Sequence, residues 1–135
     1  QKECEYTPSV QVVRAGSEMK ITNSDAVMHN IHAYQNDAET IFNFAQPMQG
    51  ITTPKTMEKT GPVHLKCDVH SWMSAWVFVA GHPYYTTTGP DGAFTLGDVP
   101  AGSYKVKAWH PIAGEKTMDI VVAGGAAASA DFTMP

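Results

Sequence analysis

Val63-His64-Leu65-Lys66-Cys67-Asp68-Val69-His70-Ser71-Trp72-Met73-Ser74-Ala75-Trp76-Val77-Phe78-Val79-Ala80 is the stretch on which the reading of this chain turns. Val63, Leu65 and Cys67 alternate with His64 and Lys66, which is the period of a strand with one buried face. That alternation points the Cys67 sulfur inward. Residues 75–80 form a second apolar run of strand length. Between the two runs lies Cys67-x2-His70-x2-Met73, a thiol, an imidazole and a thioether on one short connection. Two strands and a ligand-rich loop at their end are the unit around which the rest is read.

Working outward, the composition agrees with a β protein. The 135 residues include twelve Val, six Ile and thirteen Thr but only two Leu, with eleven Gly and nine Pro. Helix formers are scarce and turn residues abundant, so a helical bundle is excluded. The length suits one domain, or two very small ones sharing a core. Nine basic against thirteen acidic side chains leave a net charge of -4, which gives no footprint for nucleic acid. The longest strongly apolar run, residues 75–80, is too short to span a membrane, so no transmembrane segment is expected. A first residue Gln1 suggests a processed chain. With a signal peptide removed, the compartment would be periplasmic or extracellular.

Further strands are expected around Val10 and Val12, around Met19 and Ile21, and over residues 29–34, 40–45, 94–96, 104–108 and 118–122, with Phe132 in a last one. Residues 46–62, with three prolines and two glycines, read as a long connection across the end of a sheet. The character changes near residue 80. This gives an N-terminal part, 1–80, and a C-terminal part, 81–135.

Upstream of the loop, His29-Asn30-Ile31-His32 follows the turn Asn23-Ser24-Asp25. One thiolate, two imidazoles and a thioether are the donor set of a blue-copper site, with two His and one Cys in a plane and a distant axial Met. Soft sulfur donors favour Cu(I), and imidazole suits both oxidation states. Three ligands on one loop can wrap an ion, and a fourth from a distant strand ties that loop to the sheet.

These residues, together with the Val-x-Val strand and the Gly16 turn, resemble the cupredoxin family of plastocyanin and amicyanin over residues 10–80. The resemblance implies a Greek-key β-sandwich holding one copper ion that cycles between Cu(I) and Cu(II). It implies His29, Cys67 and His70 as equatorial ligands and Met73 as the axial one. Asn30 would brace the ligand loop by hydrogen bonding near Asp68, both outside the ligand set itself. The implied function is one-electron transfer between protein redox partners, or within a larger membrane-associated or extracellular complex, with no enzymatic step. Thr86-Thr87-Thr88-Gly89-Pro90-Asp91-Gly92-Ala93-Phe94-Thr95-Leu96, with the following Asp98-Val99-Pro100-Ala101-Gly102-Ser103-Tyr104, resembles the carboxypeptidase regulatory-like, transthyretin-like β-sandwich. That family implies a supporting or docking role for 81–135.

Other readings of the same residues stand beside this one. Cys67 could be an inert buried thiol or form a disulfide with Cys4, which would exclude metal ligation. The same donors suit zinc. A thiolate activated by His70 or His29 could serve catalysis, but no oxyanion site accompanies it. The chain could also be an interaction subunit with a static or vestigial metal site. His32 and His64 fall on faces opposite to His29 and Cys67 and are expected to be solvated. His110 reads as structural or exposed, and His82 as a turn residue or a group near the metal. Trp76 is expected to pack in the core, and Trp72 to shield the site or dock a partner.

Overall fold

In the computed structural model, which describes residues 1–36 and 38–135, the described residues form nine strands and no helix. In chain order they are β1 Val10–Arg14, β2 Ser17–Thr22, β3 His29–Gln35, β4 Glu39–Gln46, β5 Thr52–Met57, β6 Gly61–Lys66, β7 Ser74–Ala80, β8 Gly102–His110 and β9 Gly114–Val122. The chain divides into two compact units, Gln1–Phe94 and Thr95–Pro135. The division therefore falls later than the change of sequence character near residue 80.

In the first unit, β1, β7, β6, β3 and β4 form one sheet in that order, and β2 pairs with β5 in a second. β1 runs parallel to β7, with Val12 opposite Phe78, while the other pairs are antiparallel. The chain passes from one sheet to the other at Ala15-Gly16. There the Ala15 N–H bonds the Ala80 carbonyl at 2.8 Å and the Gly16 N–H bonds the Met57 carbonyl at 2.8 Å. Gly16 has φ +84°, a left-handed conformation that a side chain disfavours. Inward residues of both sheets meet in one core: Met19, Ile21 and Met57 from the smaller sheet, and Ile31, Ala33, Val63, Leu65, Val77 and Val79 from the larger. The fold is an all-β sandwich, as composition and alternation predict.

β5 corrects the reading of residues 46–62 as a connection. Thr52-Thr53-Pro54-Lys55-Thr56-Met57 lies antiparallel to β2, with Pro54 opposite Lys20. Only Met57 of this strand is buried, so no apolar period announces it. Proline is tolerated because β5 has an open edge in its two-stranded sheet. Residues 94–96 and Phe132 lie outside any strand. The alternation of Phe94 with Leu96 is real, but no ladder pairs with it.

The second unit is built on the β8–β9 hairpin, in register from Gly102 opposite Val122 to His110 opposite Gly114. None of its residues is fully buried.

Candidate metal centre

Three elements bring the candidate residues to one end of the larger sheet. β3 begins at His29, β6 ends at Lys66 just before Cys67, and the loop through His70 and Met73 returns the chain to β7. The loop is closed on itself. The Met73 N–H donates to the His70 carbonyl at 3.0 Å, the Cys67 N–H to the Met73 carbonyl at 3.3 Å, and the His70 N–H to Cys67 Sγ at 3.4 Å.

His29 Nδ1 lies 3.1 Å from His70 Nδ1, and Cys67 Sγ lies 3.7 Å from the same His70 nitrogen. The donor atoms of His29, Cys67 and His70 all fall within 4.8 Å of one another. His29 and Cys67 are buried and His70 is half-buried. Met73 is buried in the core beside Cys67. The two imidazoles meet edge to face, with centroids 4.9 Å apart.

The protonation of His29 follows from its outer side. Nε2 lies 2.7 Å from Asp25 Oδ2, and an ionised carboxylate can only accept, so Nε2 carries the ring proton. Nδ1 of the neutral ring then presents its lone pair to His70 and Cys67. His70 Nδ1, 3.1 Å away, can donate to that lone pair when it carries its ring proton, and a cation between the two nitrogens can take the proton's place. The Asp25 carboxyl is held down at about 2 by the N–H of Cys4, by the His29 ring and by the N–H of Glu3. A carboxylate–imidazole pair of this kind fixes the ring's tautomer and orientation for a metal on its other nitrogen.

Asn30 and Asp68 join the loop to β3 and β4. The Asp68 N–H donates to Asn30 Oδ1, and Asn30 Nδ2 donates to Asp68 Oδ2 at 3.1 Å. Asn43 Nδ2 donates to the same oxygen at 3.0 Å, and His32 Nδ1 lies 3.1 Å from it. Partial desolvation raises the Asp68 carboxyl, but the hydrogen bonds from Asn43, His32 and Asn30 outweigh it and hold it below its ordinary value.

Residues 48–130, more than half of the chain, match the family model described as polysaccharide lyase family 4, domain II. The chain belongs to this family. No curated protein matches its sequence. Among solved structures it is similar to a purple cupredoxin from Nitrosopumilus maritimus, at 26% identity and a TM-score of 0.49, covering 59% of this chain and 86% of the other. It is also similar to a mutant of amicyanin in its reduced state, at 21% identity and a TM-score of 0.49, covering 58% of this chain and 75% of that one. A copper-containing nitrite reductase from Thermus scotoductus is similar at 19% identity and a TM-score of 0.48. That match covers 58% of this chain and 21% of the reductase.

In this family 4 domain II chain, sequence reasoning had placed Asp25 in a turn and given it no part in the site. Its spacing, four residues before His29 on a tight turn, is the only signal that could have found it. The N-terminal segment was also missed. Cys4 and Cys67 are both free thiols, so the disulfide does not form. Residues 1–6 lie against the ligand end of the sheet. Tyr6 Oη donates to the Asn30 carbonyl at 2.6 Å, and Trp72 Nε1 donates to the Cys4 carbonyl at 3.0 Å. Burial and the nearby Cys67 and Asp68 push the Tyr6 hydroxyl up, so it stays protonated.

The remaining histidines lie apart from the cluster. His32 stacks on Tyr34 with centroids 3.9 Å apart, and His64 stacks on Trp76 at 4.0 Å. Trp76 is therefore half-buried on the outer face and does not fill the core. His82 and His110 are exposed, and the Trp72 side chain is 66% exposed beside His70.

Proposed function

We propose that His29, Cys67, His70 and Met73 of the first unit would hold one copper ion, and that the protein acts as a one-electron carrier. The observation that carries this reading is the convergence of two imidazole Nδ1 atoms and a thiol sulfur in a largely buried pocket at one sheet end. The donor set fits copper in both oxidation states. Bound copper supplies the one-electron chemistry. The protein's part is to hold the donors nearly fixed, to orient His29 through Asp25, to tie the loop to β3 through Asn30 and Asp68, and to keep water out. No substrate is transformed under this reading. Protein redox partners would dock near the ligand loop, and a periplasmic or extracellular setting would suit them. Residues 81–135 would support or dock the carrier, the role implied by their transthyretin-like resemblance.

The family match favours a second reading. A description as domain II belongs to a part of a larger protein, so the chain would be an interaction module whose metal site is static.

Titration of the reduced, metal-free protein with Cu(II) separates the two. The carrier predicts uptake of one equivalent, an intense visible thiolate-to-copper band and narrow hyperfine splitting, all lost in Cys67→Ser. It also predicts reversible one-electron voltammetry. A protein that stays colourless refutes the carrier, and a coloured protein without reversible voltammetry leaves the static site.

A further inference from the structure

His29 has two ring nitrogens, and the buried pocket uses one. On the other side of the ring, Cys4, Asp25 and His29 form a second group whose donor atoms all lie within 4.8 Å of one another. Cys4 is a free, half-buried thiol, more accessible than Cys67. Its place is set from several directions. The Cys4 N–H donates to Asp25 Oδ2 at 2.9 Å, the Glu3 N–H to Asp25 Oδ1 at 2.8 Å, and the Cys4 carbonyl accepts from Trp72 at 3.0 Å. Glu3 and Cys4 have φ +56° and +55°, a left-handed backbone unusual for two successive residues with side chains. The segment is bent so that the thiol stands beside Asp25 and His29.

We propose that Cys4, Asp25 and His29 form a second cation site, specific for a cuprous ion, on which copper lands before it passes to the buried pocket. A thiolate and an imidazole are soft enough to select Cu(I), and the carboxylate alongside adds the negative charge that attracts a cation. Metal–sulfur and metal–nitrogen bonds of about 2.3 and 2.0 Å let one ion bridge donors at such separations. Binding exchanges the ion for the Cys4 thiol proton, which goes to solvent, and the oxidation state does not change.

The shared histidine makes the two sites alternatives. A neutral imidazole has one lone pair. With the ring proton on Nε2 it serves the inner pocket, and with the proton on Nδ1 it serves the outer group. One His29 ring therefore supports one ion at a time. Passage inward breaks the bonds to Cys4 and Nε2 and forms bonds to Cys67 and Nδ1, while the Cys67 thiol proton and the Nδ1 proton pass to Cys4 and Nε2. The landing role rests on the copper reading of the buried pocket, but the outer site itself does not.

The test is Cu(I) uptake by the full reduced chain from a bicinchoninate-buffered solution. Cys67→Ser, with Cys67→Ala as a second variant, should still take up one Cu(I). X-ray absorption at the copper edge should show one sulfur among its donors. Adding Cys4→Ser should weaken that uptake by at least about tenfold, the scale on which metal-site groups act. Cys4→Ser alone should reach the same final Cu(II) spectrum as the unmodified chain but load Cu(I) at least about tenfold more slowly. The proposal is overturned if neither Cys67 variant takes up Cu(I), or if removing Cys4 as well changes nothing. Loading of Cys4→Ser at the unmodified rate overturns the landing role. A chain that never shows the thiolate–copper band, yet binds Cu(I) through Cys4, would refute the carrier and leave the outer site standing. A normal band with no uptake by the Cys67 variants would do the reverse.

Discussion

The two units draw on the same alternating sequence grammar and end with different interiors. In Gln1–Phe94, alternation on several strands converges on one core, and Ile31, Ala33, Val63 and Val77 are wholly removed from solvent. In Thr95–Pro135, Tyr104, Val106 and Ala108 alternate just as cleanly on β8, yet each is only half-buried. The hairpin is a single two-stranded ladder, which by itself buries little apolar surface. Alternation predicts a strand, but burial needs a second sheet to receive it. The candidate metal-binding residues accordingly sit in the unit whose core can hold them in fixed positions.

The largest effect expected from this contrast is in the core. Ile31→Ala should cost about 2–5 kcal/mol, the range for deleting a buried aliphatic side chain. Val106→Ala, with no cavity to leave behind, should cost less than about 1 kcal/mol. Urea unfolding followed by far-ultraviolet circular dichroism measures both. Equal losses would show that the hairpin's apolar face is as well packed as the sandwich core, and the contrast would fall.

The same distinction explains what could be read in advance. β2, β6 and β7 declare themselves because their alternating or continuous apolar residues are the ones the core receives, whereas in β1 the core receives Val13 and not the alternating Val10 and Val12. β5 was hidden because Thr53 and Lys55 hold the inward positions beside Met57, where apolar residues would announce a strand, and Pro54 breaks the expectation of a ladder. Residues 94–96 misled because they alternate yet lie outside the strands. At the candidate site, Cys67, His70 and Met73 lie within seven residues of one another, so their donor types are visible together in the sequence. Asp25 and Cys4 are drawn in by hydrogen bonds spanning 21 residues, from backbone N–H groups that every residue possesses. Such groups carry no sequence signature.

The next effect concerns the polar residues that the first unit buries and the second does not. Asn23 and Gln46 are both wholly buried. Asn23 Nδ2 donates to the Val27 carbonyl at 2.9 Å and the Gln46 carbonyl at 3.0 Å, and its Oδ1 accepts from the Asp25 N–H at 2.9 Å. Asn23→Ala leaves these groups unsatisfied, at a cost of about 1–3 kcal/mol. Because it also frees the Asp25 turn, it should weaken metal uptake, whereas Asn23→Asp should retain part of the turn. Denaturant midpoints together with metal titrations check both. A loss of stability with unchanged uptake would separate the knot from the site.

A smaller effect appears on acidification of the metal-free chain. The Asp25 carboxyl is depressed to about 2 from its ordinary 3.8, by the Cys4 N–H, the His29 ring and the Glu3 N–H. The folded state therefore binds this proton less readily than the unfolded chain. The resulting stability is fully present above the ordinary value and is lost as pH falls from there through about 2. Thermal melts of the unmodified chain should decline across that window, and Asp25→Asn should be less stable at neutral pH with a flatter acid limb.

The smallest effect is expected from surface charge, where the two units are alike. Lys105 Nζ lies 2.6 Å from Asp119 across the β8–β9 ladder, and Lys59 Nζ lies 2.8 Å from Glu39 in the first unit. All four side chains are at least 60% exposed. Water screens such pairs, and holding two long side chains in place costs entropy, so each contributes at most about 1 kcal/mol. Lys105→Ala and Lys59→Ala should shift denaturant midpoints by similar small amounts, and added salt should shrink both shifts. If Lys105→Ala instead destabilised the chain far more than Lys59→Ala, the hairpin would depend on its ion pairs in place of a core. The two units would then differ in what holds them together as well as in how much they bury.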